Sequence, residues 1–142
     1  MTKTVVVADP HSSVREVAAL MRDRGVGSVV LVLDGRPVGF ITDRDVAVSV
    51  VAQGRDHTDH ASDHASTPVI TADPDIDVDE GAHVMIRQGV RRLVIVEAGF
   101  VVGVVTLDDL ASRLTDADFS GRLAARITRA VLPDYSLRVR AA

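Results

Sequence analysis

Two short stretches carry residue types at a spacing suited to chemistry: Gly39–Phe40–Ile41–Thr42–Asp43–Arg44–Asp45 and Gly103–Val104–Val105–Thr106–Leu107–Asp108–Asp109. In each, an apolar strand-like run meets a Thr, and an Asp follows three residues on. A Thr at a strand-to-helix junction stands beside the first N–H groups of the helix. Those groups have no helical partner and, with the positive end of the helix dipole, they attract a phosphate. The Thr hydroxyl adds one more donor. The Asp, one turn in, offers two acceptors that suit the vicinal hydroxyls of a ribose and would repel a phosphate. The roles therefore divide, with Thr42 and Thr106 toward phosphate and Asp45 and Asp109 toward sugar. Thr-x-x-Asp is equally the spacing of a helix-capping box, and the two roles are compatible.

Basic and apolar neighbours extend the candidate sites. Arg44 lies inside the first corner, where the second has Leu107 and Asp108. Arg91 and Arg92 precede the strand-like Leu93–Val96, at the place held by Gly27 and Ser28 in the first copy, and would reach a phosphate or lie on ordinary solvated surface. Val7, Val30, Ile70 and Val94 would wall a nucleotide base.

The two corners belong to a longer repetition. From Gly39 to Gly103 the offset is 64 residues, and it holds without a gap. At that offset Ala8–Asp9–Pro10 falls on Ala72–Asp73–Pro74, Val14 on Val78, Glu16 on Glu80, Met21 on Met85 and Gly25–Val26 on Gly89–Val90. Each copy reads as strand, helix, strand, strand, helix. Ser13 and Glu16 have capping-box spacing, and Asp77 and Glu80 stand at the matching positions. Val14, Val17, Ala18 and Met21 make one apolar stripe of an amphipathic helix, and Gly25 and Gly89 are placed to end their helices in a left-handed conformation. Val29 to Leu33 is continuously apolar, so both its faces are expected to be covered. Asp34-Gly35 signals a hairpin, Pro37 to Thr42 is the returning strand, and Asp43 to about Ala52 a second helix.

Gapless duplication of a βαββα unit that closes on Gly-x-x-Thr-x-x-Asp resembles the tandem cystathionine-β-synthase (CBS) domain pair, or Bateman module, over roughly Val5 to Leu114. Thr67-Pro68-Val69 resembles that family's lead-in to the first strand, whereas Lys3-Thr4-Val5 lacks the Pro. The resemblance implies a mixed α/β (α+β) fold with the units paired in pseudo-two-fold symmetry and up to two clefts between them. It implies adenosine-containing ligands such as AMP, ADP, ATP or S-adenosylmethionine in those clefts, a homodimer, and regulation of a protein target by change of shape. With no further domain visible, a stand-alone pair is expected, divided as repeat 1 (1–53), connector (54–67), repeat 2 (68–115) and C-terminal helix and tail (116–142).

Bulk properties agree. At 142 residues, units of about fifty residues would be marginal alone and are expected to share one core. The chain is 46% hydrophobic, which argues against disorder. A net charge of −4 gives no support for general nucleic-acid binding. No apolar run approaches the ~18 residues of a membrane span and no signal peptide is visible, so a cytoplasmic protein without membrane attachment is expected. There is no Cys and no phosphate-binding glycine motif, and sequence does not bring Ser, His and Asp together. A non-enzyme with no required cofactor is therefore expected.

Two segments stand apart from the repeat. The polar stretch Gln53 to Thr67 holds His57, His60 and His64, which would share one face if helical and could then hold a zinc or nickel ion; a hydrated connector is the expectation that carries most weight. Phe119, Leu123, Ile127 and Val131 recur every fourth residue and suit a further amphipathic helix. Alternatives to ligand sensing are a ligand-free dimerising scaffold and a metal-responsive protein using those histidines.

Overall fold

The computed structural model of the chain describes residues 5–112. The expected Phe119–Val131 helix and the 116–142 tail lie outside the described residues. The elements are β1 (Val7–Ala8), α1 (Val14–Arg24), β2 (Ser28–Leu33), β3 (Arg36–Thr42) and α2 (Asp43–Asp45), then β4 (Thr71–Ala72), α3 (Val78–Gln88), β5 (Arg92–Glu97), β6 (Phe100–Thr106) and α4 (Leu107–Ser112). Each element of the second set starts 64 residues after its counterpart, as the internal repeat requires. The fold is mixed α/β, with two three-stranded sheets ordered β1-β2-β3 and β4-β5-β6. Register repeats too: Val7 pairs with Val30 in parallel, and Thr71 with Val94.

Local chemistry sets the boundaries. At α1 the Ser13 hydroxyl accepts the Glu16 N–H (3.1 Å) while the Glu16 carboxylate accepts the Ser13 N–H (3.0 Å). At α3 Asp77 accepts from Glu80 N–H at 2.8 Å. Gly25 and Gly89 end these helices, both at φ 64°. The hairpin turns are Asp34-Gly35 (φ 53° and 76°) and Ala98-Gly99 (φ 51° and 86°). Beyond α2 the helix changes character, since Val46–Val51 is π-helical. Ala52 N–H reaches Ala47 O (2.9 Å) and Arg55 N–H reaches Val50 O (2.8 Å), both five residues back. A regular helix to Ala52 was expected; hydrophobic spacing does not distinguish the two.

The chain packs as two compact units. Among the described residues, one comprises 5–69 with Val96–Val102, the other Ile70–Ile95 with 103–112. The first encloses Val17, Met21, Val29, Leu31, Ile41 and Ala61; the second encloses Ala82, Met85, Leu93, Leu107 and Leu110. Val30 is as buried as its neighbours Val29 and Leu31, so both faces of β2 are covered. Within the first unit the tip of the β5–β6 hairpin lies on the β2–β3 turn. Val101 N–H donates to Gly35 O (3.1 Å), and the Arg36 guanidinium stands 5.0 Å from the centre of the Phe100 ring.

Gly81, inside α3, stands where α1 has Val17. A Cβ there would meet Leu110 at 3.7 Å and Leu93 at 3.9 Å, ordinary contact distances. Gly81→Ala is therefore expected to raise stability by about 1 kcal/mol through helix propensity and a less mobile unfolded chain, read as a higher urea midpoint at unchanged slope.

Candidate functional site

Both Thr-x-x-Asp corners are reciprocal capping boxes. Thr42 leaves β3 in extended conformation. Its hydroxyl accepts the Asp45 N–H (3.1 Å), and Asp45 Oδ2 accepts the Thr42 N–H (2.8 Å). The second corner repeats this, with Asp109 N–H to Thr106 Oγ1 at 3.2 Å and Thr106 N–H to Asp109 Oδ2 at 2.9 Å. In each, one carboxylate oxygen is held by the cap and the other stays open, and the Thr hydroxyl keeps its own proton to donate.

The helix-start donors expected to cradle a phosphate are largely spent. At the first corner Asp43 N–H donates to Gly27 O (3.0 Å), Arg44 N–H to Asp43 Oδ1 (2.8 Å) and Asp45 N–H to Thr42. All three leading donors are engaged, so that corner offers no backbone phosphate cradle. At the second corner Leu107 N–H donates to Arg91 O (2.9 Å) and Asp109 N–H to Thr106. Leu107 replaces Asp43 there, so no carboxylate from that position takes the N–H of Asp108.

That bond to its carbonyl fixes Arg91 beside the second corner, with Arg92 next to it as the first residue of β5. Among the described residues, neither guanidinium has an acidic or hydrogen-bonding partner; nor has that of Arg44, which is exposed. The first corner has only Gly27 and Ser28 where these arginines stand, so the two corners differ as their sequences suggest. Of the apolar residues, Val7 is 44% exposed and Ile70 half-buried, both available to a ligand. Val30 (1%) and Val94 (2%) are enclosed, and their expected place against a base is corrected: they are core.

A pocket of about 60 Å³ that sequence reasoning missed opens within the second unit. Pro74, Ile76, Val78, Gly81, Leu93 and Asp109 are among the residues that line it. The detectable signal was the mismatch at the repeat offset, Gly81 against Val17.

The connector departs most from expectation. It has one short 3-10 turn, Ala61–Asp63, and is largely exposed, but two of its residues are drawn into the first unit. Ala61 is fully buried and His64 only 7% exposed, while His57 and His60 are exposed. His64 Nε2–H donates to Asp59 Oδ2 (2.9 Å), its Nδ1 lies 2.7 Å from Ser49 Oγ, and Arg55 pairs with Asp59 at 3.2 Å. Asp56 closes the preceding turn by accepting both the N–H and the hydroxyl of Thr58, which hold its carboxyl below the usual range. The three histidines therefore do not share a face: the His60 ring lies tilted against that of His11, 5.0 Å between centres, and His64 is used inside. Among the described residues, no three His, Cys, Asp or Glu are grouped to hold a metal ion. A Ser–His–Asp chain does exist, but its histidine is enclosed and it acts as a clasp on the π-helical segment.

Comparison with known proteins places this geometry. The CBS-domain sequence model matches residues 1–51 and 61–116. The CBS domain-containing protein YhcV of Bacillus subtilis (strain 168) is 33% identical over 128 residues, covering 90% of this chain and 91% of its own. The CBS domain protein PAE2072 of Pyrobaculum aerophilum, solved with AMP, superposes with a TM-score of 0.73 at 29% identity, over 88% of this chain and 95% of its own. The CBS domain pair of protein MJ0100, solved with 5′-methylthioadenosine and S-adenosylmethionine, gives 0.71 at 27% identity, over 86% and 93%. Among the described residues no helix is long and apolar enough to cross a membrane. Duplicated elements, duplicated Thr-x-x-Asp caps and the matched sequence model agree, and the chain belongs to the CBS-domain family, carrying two CBS domains in tandem.

Proposed function

We propose that this CBS pair is a non-catalytic regulatory module that binds an adenine nucleotide or related adenosyl compound at its second corner. The observation that carries this is Arg91, anchored through its carbonyl to Leu107 N–H at 2.9 Å, with no partner for its guanidinium among the described residues. Arg91 and Arg92 supply the positive charge that a phosphate needs, as charge-assisted hydrogen bonds of the stronger kind. The open oxygen of Asp109 is the acceptor for ribose hydroxyls, Thr106 keeps a hydroxyl proton for a phosphate oxygen, and Ile70 offers apolar surface to a base. PAE2072 and MJ0100, at 29% and 27% identity, support an adenosyl ligand of this class. At the first corner Thr42, Asp45 and Arg44 act chiefly as a helix start, because the donors there are already used. Signalling requires the ligand to favour one conformation over another, and a protein target, cytoplasmic with the chain, to read the difference.

The test is a thermal-shift series with AMP, ADP, ATP and S-adenosylmethionine. At 100 times its dissociation constant a ligand adds about 2.7 kcal/mol, several degrees for a chain of this size. Arg91→Ala should weaken a phosphate-bearing ligand by roughly tenfold or more and leave S-adenosylmethionine unchanged. Asp109→Ala should abolish either shift, measured from its own lowered baseline, while Asp45→Ala retains it. No shift with any of the four would overturn the sensor. It would favour a ligand-free scaffold that associates, as a homodimer, through Val48 and Val51, which are 48% and 73% exposed on the π-helical segment.

A further inference from the structure

The pocket of the second unit has a filled counterpart in the first, and the contrast shows what kind of occupant it takes. Its lining residues Pro74, Ile76, Val78, Gly81, Leu93 and Ile95 correspond at the repeat offset to Pro10, Ser12, Val14, Val17, Val29 and Leu31. There a short loop of the connector is bonded over them. Ser62 N–H donates to Pro10 O (3.1 Å) and Ala61 N–H to Ser12 O (2.8 Å), while Val14 N–H and Arg15 N–H donate to the carbonyls of Asp59 (2.9 Å) and His57 (3.0 Å). His60 faces Ser13 across an antiparallel bridge with its ring against that of His11, and Ala61 is wholly buried in the cluster of Val17, Val29 and Leu31.

The second unit presents the same groups and leaves them open. Ile76 N–H closes a turn on Asp73 O (3.1 Å) as Ser12 N–H does on Asp9 O (3.0 Å), so the backbone is offered in the same form. Among the described residues, the carbonyls of Pro74 and Ile76 and the N–H groups of Val78 and Asp79 have no hydrogen-bond partner. Open backbone groups beside an apolar hollow are a place for another chain to bond. Two differences from the first unit define the chemistry of that chain. Gly81 stands for Val17, so the seat that takes the Ala61 methyl is deeper here and suits Val. Asp73, Asp75, Asp77, Asp79 and Glu80, all exposed, stand where the first unit has Asp9, His11, Ser13, Arg15 and Glu16, and among the described residues none of the five is in an ion pair. Carboxylates on this side of an apolar seat call for positive charge beside it.

We propose that this groove docks a loop of a basic partner protein, in which Lys or Arg precedes a seated Val as His60 precedes Ala61. The cation lies by Asp75 and Asp77, the counterparts of His11 and Ser13.

An amide titration followed by nuclear magnetic resonance tests this on the intact chain without nucleotide, so its outcome is independent of the ligand reading. The probe is the capped heptapeptide Asp-Lys-Thr-Lys-Arg-Val-Ser. It follows 56–62 and keeps the leading Asp because Asp56 closes its turn on Thr58. The Val78 and Asp79 resonances should move saturably. Asp in place of the peptide Val should weaken binding by roughly tenfold or more. Asp75→Lys should weaken it about fivefold at low salt, recovered when Glu replaces the peptide Arg. Gly81→Val, which restores the residue of the first unit, should reverse the preference toward a peptide with Ala in the seat. No saturable shift, or equal binding of the Val and Asp peptides, overturns the proposal. So does protection of these two amides from hydrogen exchange in the free chain, or a shift in them on dilution, since the chain itself or a second copy would then hold the groove.

Discussion

Ala61→Asp is expected to cost about 4 kcal/mol, because it places an unpaired carboxylate among Val17, Val29, Leu31 and Ile41 where the native methyl is wholly enclosed. Against an ordinary domain stability of about 5–15 kcal/mol this is a large fraction of the whole. It should lower the melting temperature by roughly 10 °C or more. The neighbouring Ser62→Asp makes the same chemical change one residue on, at an exposed position, and should stay within about 0.5 kcal/mol. Urea denaturation of the two variants measures the difference directly. Equal midpoints would show that the connector is not part of the first unit's core.

The second large effect is at His64. His64→Ala removes a buried ring, leaves Ser49 Oγ without its 2.7 Å partner and strips Asp59 of one of two, the other being Arg55. Lost packing and an unsatisfied hydroxyl together should cost about 3 kcal/mol. His57→Ala and His60→Ala, at exposed positions, should each change stability by less than about 0.5 kcal/mol. Three similar losses would indicate instead that the histidines act together. Nickel or zinc titration of the three variants separates that outcome from simple packing.

These two residues also mark where the sequence stopped being legible. The repeat made the fold readable: the offset set the order of elements, and Ser13, Gly25, Asp34 and Gly35 announced ends and turns by residue type, each doing what its backbone chemistry dictates. The Thr-x-x-Asp caps were readable for the same reason. The connector was not, since Ala61 and His64 sit in a polar stretch with no period, and only the folded chain shows that one fills a core and the other clasps it. The helix-start donors were misread in part because two of the groups that satisfy them, the carbonyls of Gly27 and Arg91, are backbone atoms without a sequence signature. The π-helical Val46–Val51 and the enclosure of Val30 and Val94 escaped likewise, as both depend on packing that hydrophobicity alone does not specify.

The crossing of Val96–Val102 into the first unit has a consequence for dissecting the protein. The segment that was duplicated and the body that packs do not share boundaries. A fragment cut at the repeat junction would leave Gly35 without the Phe100 ring laid against it and Arg36 without its aromatic partner. Its binding and stability would report on a damaged object, so halves intended for separate study should exchange that loop rather than be parted between residues 67 and 68.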